Sequence, residues 1–227
     1  MAFWFFVLVS GMDIIVFNTV HAEQLPTTEE FISIDCGIAS NANYSDSDTL
    51  IEYVSDDQFI ETGVNFNLSS SSSSYRGPII YQTYSFSSYI TQMVTLRSFP
   101  DALRSCYVLK PVTRYKKYTV RAQFLYGNYD GKNSSSIMFD LHIDVNFWQT
   151  VNVTESTALY LYEVIVVALG DSVSVCLINT GSGTPFISVL ELRPLQDDMY
   201  PAANTTQYLV NFFRLNVGPD LGSSPLR

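Results

Sequence analysis

Basic residues are scarce in this chain of 227 residues: twelve Lys and Arg stand against twenty-two Asp and Glu, giving a formal net charge of −10. A surface of that sign repels a phosphate backbone, which excludes nucleic acid as a partner. The one basic cluster, Arg114-Tyr-Lys116-Lys117, is a solvated strand entrance and not a binding patch. Histidine is rarer still, with two residues. No Gly-x-Ser-x-Gly elbow, Walker loop or complete dinucleotide fingerprint accompanies them. With neither those elements nor positive evidence for paired carboxylates, the chain is expected not to be an enzyme and to need no cofactor.

Cysteine is limited to Cys36, Cys106 and Cys176, whose spacing fits no zinc or CxxC site. In an oxidising compartment one pair can bridge and leave the third as a buried thiol or in need of another partner; spacing does not choose the pair. Long amphipathic helical periodicity is absent too. The dense apolar runs at 3–9 and 14–17, followed by Val20-His21-Ala22, have the form of a secretory leader cleaved after Ala22. The leader lacks an early basic residue, and Asp13 interrupts it. An uncleaved anchor is the competing expectation, although a mid-span Asp is costly in a membrane. No other membrane span is read along the chain.

What the chain has in quantity is Tyr and Phe, fifteen of each, with abundant Val, Ile and Thr. These side chains suit a pleated, half-buried surface. Residues 173–177 and 186–192 alternate as strands around the turn formers of 179–185. Further strands are expected at 31–36, 79–86, 93–96, 106–109, 118–126, 137–145 and 159–168, with one more at 208–215. Residues 41–49 and 53–69 are read as loops, and the six serines at 69–74 as a solvent-facing surface loop. About nine or ten strands at this spacing make an all-β, antiparallel β-sandwich or jelly roll.

Five Asn-x-Ser/Thr sequons follow the leader, at Asn43, Asn67, Asn133, Asn152 and Asn204. Behind a leader they predict a glycoprotein that is secreted or held at the cell surface. Two constellations deserve weighing as sites. Tyr126, Asn128, Tyr129 and Asp130 place aromatic faces beside hydrogen-bonding groups in one Gly-rich turn, as sugar recognition needs, with Tyr81 as a second wall. The alternative is a structural turn whose tyrosines cover the core. Asp140, His142 and Asp144 share one strand face about 6.6 Å apart, too far to converge on one ion, so no metal site is assigned there.

Several stretches resemble the first malectin-like lobe of plant leucine-rich-repeat receptor-like kinases. They are Phe31-Ile-Ser-Ile-Asp-Cys-Gly37, Leu96-Arg-Ser-Phe-Pro100, Arg104-Ser-Cys-Tyr107, Arg121-Ala-Gln-Phe-Leu-Tyr-Gly-Asn-Tyr-Asp-Gly-Lys-Asn133, Phe139-Asp-Leu141 and the hairpin of 174–195. The likeness divides the chain into a leader at 1–22, a lobe at 28–196, and a linker at 197–227 that opens an incomplete second lobe through Phe212-Phe-Arg-Leu-Asn-Val-Gly218. It implies a recognition lobe for a cell-wall oligosaccharide or a secreted peptide, with a co-receptor as an additional candidate partner, here without repeats, membrane span or kinase. A structural lobe that packs with a second one and has no ligand of its own is the alternative. Animal malectin, a more distant relative, stacks sugars on loop aromatics; Tyr81 and Tyr126 resemble two of these, and Gly127 stands where malectin has Phe.

Overall fold

The computed structural model describes residues 30–47, 49–68, 91–134 and 136–211. Fourteen strands are found there: β1 (Ile32–Asp35), β2 (Asn43–Ser45), β3 (Glu52–Ser55), β4 (Val64–Asn67), β5 (Thr95–Ser98), β6 (Arg104–Leu109), β7 (Lys117–Leu125), β8 (Ile137–Ile143), β9 (Asn146–Val153), β10 (Leu159–Val167), β11 (Val173–Ser182), β12 (Phe186–Ile187), β13 (Val189–Pro194) and β14 (Leu209–Asn211). A seven-stranded sheet runs β14-β10-β7-β13-β1-β3-β2, a four-stranded sheet β6-β11-β8-β9, and a three-stranded sheet β12-β5-β4. Pairing is antiparallel except between β1 and β3. The all-β, antiparallel architecture read from the aromatic and branched composition is the one observed.

Alternation builds the core. On β8, Ile137, Phe139, Leu141 and Ile143 are buried while the residues between them are half-exposed, as a strand with one face on a core requires. Tyr118, Val120, Ala122 and Phe124 of β7 are buried on the facing sheet. The sheets meet through Phe124, Phe139 and Phe186, whose rings lie 5.6 to 6.2 Å apart in edge-to-face contact.

Four strands were not expected. β2, β3 and β4 are short and polar, and fall where the sequence reads as loop. β9 hides its period because Trp148 is an extra residue in the pairing with β8: Leu141 opposes Gln149 while His142 opposes Phe147. The buried set therefore becomes Trp148, Val151 and Val153, which no strict two-residue period contains. The strand expected from residue 93 starts at Thr95, after a 3-10 turn at Thr91–Met93. The one expected at 79–86 lies outside the described residues. Of the strand expected at 208–215, Leu209–Asn211 pairs with β10 and extends the seven-stranded sheet.

Two buried charge systems hold this framework. Asp56 is fully buried and receives Arg97 through two bonds, Nε to Oδ2 at 2.6 Å and Nη2 to Oδ1 at 2.7 Å. The Tyr107 hydroxyl donates to Asp56 Oδ2 at 3.0 Å, and Arg97 Nη1 reaches the Thr62 carbonyl at 3.1 Å. One carboxylate thereby ties β5, β6 and the turn after β3. Beside it, Asp35 accepts from Thr95 at 3.0 Å and from Tyr44 at 2.7 Å. Burial, reinforced by the negative field of Asp56, pushes the Asp35 carboxyl up from 3.8 to about 6. The second system crosses the large sheet: Arg121 bonds Glu163 on β10 at 2.6 Å and Glu191 on β13 at 3.1 Å, and Arg193 reaches Glu191 and Ser33.

Cys106 and Cys176 face each other on β6 and β11 and are bonded, with the Arg104 guanidinium 3.3 and 3.2 Å from their sulfurs. Cys36 is the free thiol, buried, with its pKa pushed well above the ordinary value by desolvation and then by Asp56. Gly37 follows at a φ of +88°, and a Cβ there would sit 2.3 Å from the Leu96 carbonyl oxygen. Only glycine lets the end of β1 lie this close to β5.

Asp56→Asn is expected to destabilise the domain by about 3–5 kcal/mol, because Arg97 keeps a buried charge without its counterion. Adding Arg97→Met is expected to recover part of the loss, which urea unfolding of the single and double variants measures. A second expectation concerns pH. Because the folded pKa of Asp35 lies above its unfolded value, the native state holds this proton more tightly. The Asp35 contribution to stability is therefore fully present below about pH 4 and is lost as pH rises from there to about 6, by about 3 kcal/mol. Asp35→Asn should flatten that fall in thermal unfolding followed from pH 4 to 7, relative to the parent protein.

Candidate functional site

The turn after β7 brings Tyr126, Asn128, Tyr129 and Asp130 together. Gly127, Asn128, Gly131 and Asn133 all take positive φ, between 50° and 70°, a region Gly and Asn tolerate best. Tyr126 is 0% exposed. Its ring packs 5.5 Å from Tyr129 and 6.0 Å from Phe186, and its hydroxyl donates to Asp130, lies 3.2 Å from Asn128 Oδ1 and accepts from the Ser134 amide. Asn128 in turn bonds Asn133, Nδ2 to Oδ1, at 2.9 Å. Burial raises the Tyr126 pKa, and its bond to Asp130 raises it further. Burial alone would raise Asp130, but the Tyr126 hydroxyl and Lys132 hold it below the ordinary carboxylate value.

Tyr129 is half-buried against Phe66 at 4.8 Å and Phe186 at 5.7 Å, with its hydroxyl 2.7 Å from Ser98 Oγ. Desolvation lifts its pKa to about 12. The aromatic wall expected at Tyr126 is thus turned into the protein, since its faces are occupied by neighbouring rings. Of the polar groups Asn128, Asp130 and Lys132 of the turn, Lys132 is the most exposed, while Asn128 and Asp130 are half-buried, Asp130 as the ion-pair partner of Lys132 at 3.4 Å. Tyr81, the expected second wall, lies outside the described residues.

Asp140, His142 and Asp144 do not converge. Asp140 accepts from Thr150 at 2.6 Å, Asp144 accepts from the Ser174 amide at 2.9 Å, and His142 stands edge-on to Phe147 with a buried, unpaired Nδ1. Among the described residues no group of three His, Cys, Asp or Glu side chains could hold a metal ion. All five sequon asparagines are exposed. Asn133 and Asn204 lie in turns, whereas Asn43, Asn67 and Asn152 lie on strands. The buried Arg121–Glu163–Glu191 ladder went unread. Its signal was Glu163, a lone charge within the apolar run of β10.

A β-sandwich whose recognisable motifs lie in a buried polar joint, and whose Gly-rich turn is braced by tyrosines, defines the class of module. The particular family follows from comparison. The malectin-like domain family model matches residues 34–224, and the chain belongs to that family. It is 44% identical over 169 residues to a probable LRR receptor-like serine/threonine-protein kinase of Arabidopsis thaliana, covering 74% of this chain and 18% of that protein. It is 38% identical over 188 residues to the LRR receptor-like serine/threonine-protein kinase IOS1 of the same plant, covering 83% and 19%. The chain therefore spans about a fifth of the length of these relatives. Among solved structures it superposes on the extracellular domain of ANXUR2 from Arabidopsis thaliana with a TM-score of 0.54 at 20% identity, covering 74% of this chain and 42% of that one. The complex of the plant peptide RALF23 with FER and LLG2 gives 0.55 at 16% identity, covering 81% and 47%. These likenesses establish the fold.

Tyr126→Phe is expected to lower stability by about 2 kcal/mol, since the hydroxyl's charge-assisted bond to Asp130 is lost from a buried position. Urea unfolding measures it. A variant as stable as the parent would contradict the bracing role.

Proposed function

We propose that this domain is the recognition lobe of an extracellular or cell-surface receptor of the receptor-like kinase type, and that it binds a peptide and carries out no chemistry of its own. The observation that carries this is the inward ring of Tyr126. A pyranose needs a free aromatic face, whereas a peptide can use the polar rim of Asn128, Asp130 and Lys132 on a turn already held in place. The formal charge of −10 favours a cationic peptide through long-range attraction. Support by analogy comes from the neighbour that holds RALF23 together with LLG2, which makes a peptide and a co-receptor the partners to test first. Secretion and glycosylation at Asn43, Asn67, Asn133, Asn152 and Asn204 belong to the same proposal.

A scaffold lobe without a ligand is the second reading. It is favoured by the same buried tyrosine and by β14, an edge strand with an exposed Val210.

Calorimetric titration of the secreted protein separates these readings. With RALF23 as probe, the expected result is a saturable heat that weakens with added salt and with Asp130→Asn. Heat with a glucan or pectin oligosaccharide, lost in Tyr129→Ala, would return the site to carbohydrate. Silence with both probes would favour the scaffold.

A further inference from the structure

Among the described residues, each of the three sheets ends in a strand that carries a sequon: Asn43 on β2, Asn67 on β4 and Asn152 on β9. The strands flanked on both sides, β1, β3, β5, β7, β8, β10, β11 and β13, carry none. An edge strand offers unpaired backbone groups to any other strand, and proteins ordinarily blunt such edges with charge, proline or a covering segment. None of these three uses charge or proline. Their sequences are Asn-Tyr-Ser, Val-Asn-Phe-Asn and Asn-Phe-Trp-Gln-Thr-Val-Asn-Val, rich in aromatic and branched residues. Uncharged runs of this composition favour intermolecular pairing.

The other edges are managed differently. β6 bears Arg104, and its Val108 amide donates to the Phe59 carbonyl. β12 is two residues long, and β14 is entered from the turn that holds Asn204. At β9, protein and sugar would share the task, because the Tyr160 hydroxyl accepts the Thr154 and Glu155 amides just past the strand.

We infer that N-linked glycans at Asn43, Asn67 and Asn152 are edge guards: polar, branched oligosaccharides that sterically block strand addition at the open side of each sheet. The inference rests on the extracellular placement proposed above. It assigns the three glycans a role distinct from ligand binding. Asn133, in a turn outside the strands, serves as the internal control.

The test uses the full chain secreted from eukaryotic cells, with occupancy of each sequon read by glycopeptide mass spectrometry. Glycans are then removed enzymatically from the folded protein, and sedimentation velocity follows self-association over a concentration series. The expected result is occupancy at all three edge positions and a severalfold rise in the associated fraction after removal. The Ser135→Ala variant, which removes the Asn133 sequon and keeps Asn133 itself, should remain as monomeric as the glycosylated parent, and the triple Asn43→Gln, Asn67→Gln, Asn152→Gln variant should reproduce the enzymatic effect. Since enzymatic removal acts on protein that has already folded, poor secretion of the triple variant does not blunt the test. A deglycosylated protein as monomeric as the parent overturns the inference. So does vacancy at the three edge sequons with Asn133 and Asn204 filled, which leaves the extracellular reading intact. Vacancy at all five overturns both.

Discussion

The bond between Arg97 and Asp56 is the contact on which this fold turns. A carboxylate with no solvent exposure survives only if its lost hydration is replaced, and Arg97 and Tyr107 supply three donors to it. The donors come from different places: Arg97 from β5 in the small sheet, Tyr107 from β6 at the edge of the four-stranded sheet. Asp56 itself follows β3 of the large sheet. One buried charge pair thus joins three sheets at their meeting point. Hydrophobic burial drives the collapse and its alternation limits the register, and the buried ion pair adds a contact that a slipped register would lose.

The same corner gathers residues from three of the stretches that carry the family resemblance. Asp35, Cys36 and Gly37 end β1 there, Leu96 and Arg97 lie on β5, and Tyr107 closes the cluster from β6. Each has a place in the joint: the Asp35 carboxyl accepts from Thr95 and Tyr44, the Cys36 thiol is buried beside Tyr107, and Gly37 has no Cβ to meet the Leu96 carbonyl. The turn after β7 is held in one conformation by the bonds of the Tyr126 hydroxyl.

β8 was legible because burial on one face writes a period of two into the chain, and β10 because it is a nearly continuous run of branched, apolar and aromatic residues. β9 was not, since the inserted Trp148 shifts the phase midway, and β2 to β4 were too short and polar to stand out from loop. The disulfide was open because pairing follows register, which places Cys106 opposite Cys176, while Cys36 lies in the turn after β1 of another sheet. At the turn, the residue types were legible but their direction was not. A tyrosine beside asparagine and aspartate serves equally for a sugar face or a braced loop, and only packing against Phe186 and Tyr129 separates the two. The buried ladder of Arg121, Glu163 and Glu191 joins three strands distant in sequence, so the lone charge of Glu163 in β10 marks a buried pair without naming its partners.

Native-state hydrogen exchange tests the central claim most directly. If the Arg97–Asp56 joint locks the sheets together, amides of β1, β5, β6 and the turn after β3 exchange only through global unfolding, with one common free energy, while those of the 127–134 turn open locally at lower cost. Exchange at β5 and β6 through local opening, well below the global free energy and with β7 and β13 still protected, would contradict it.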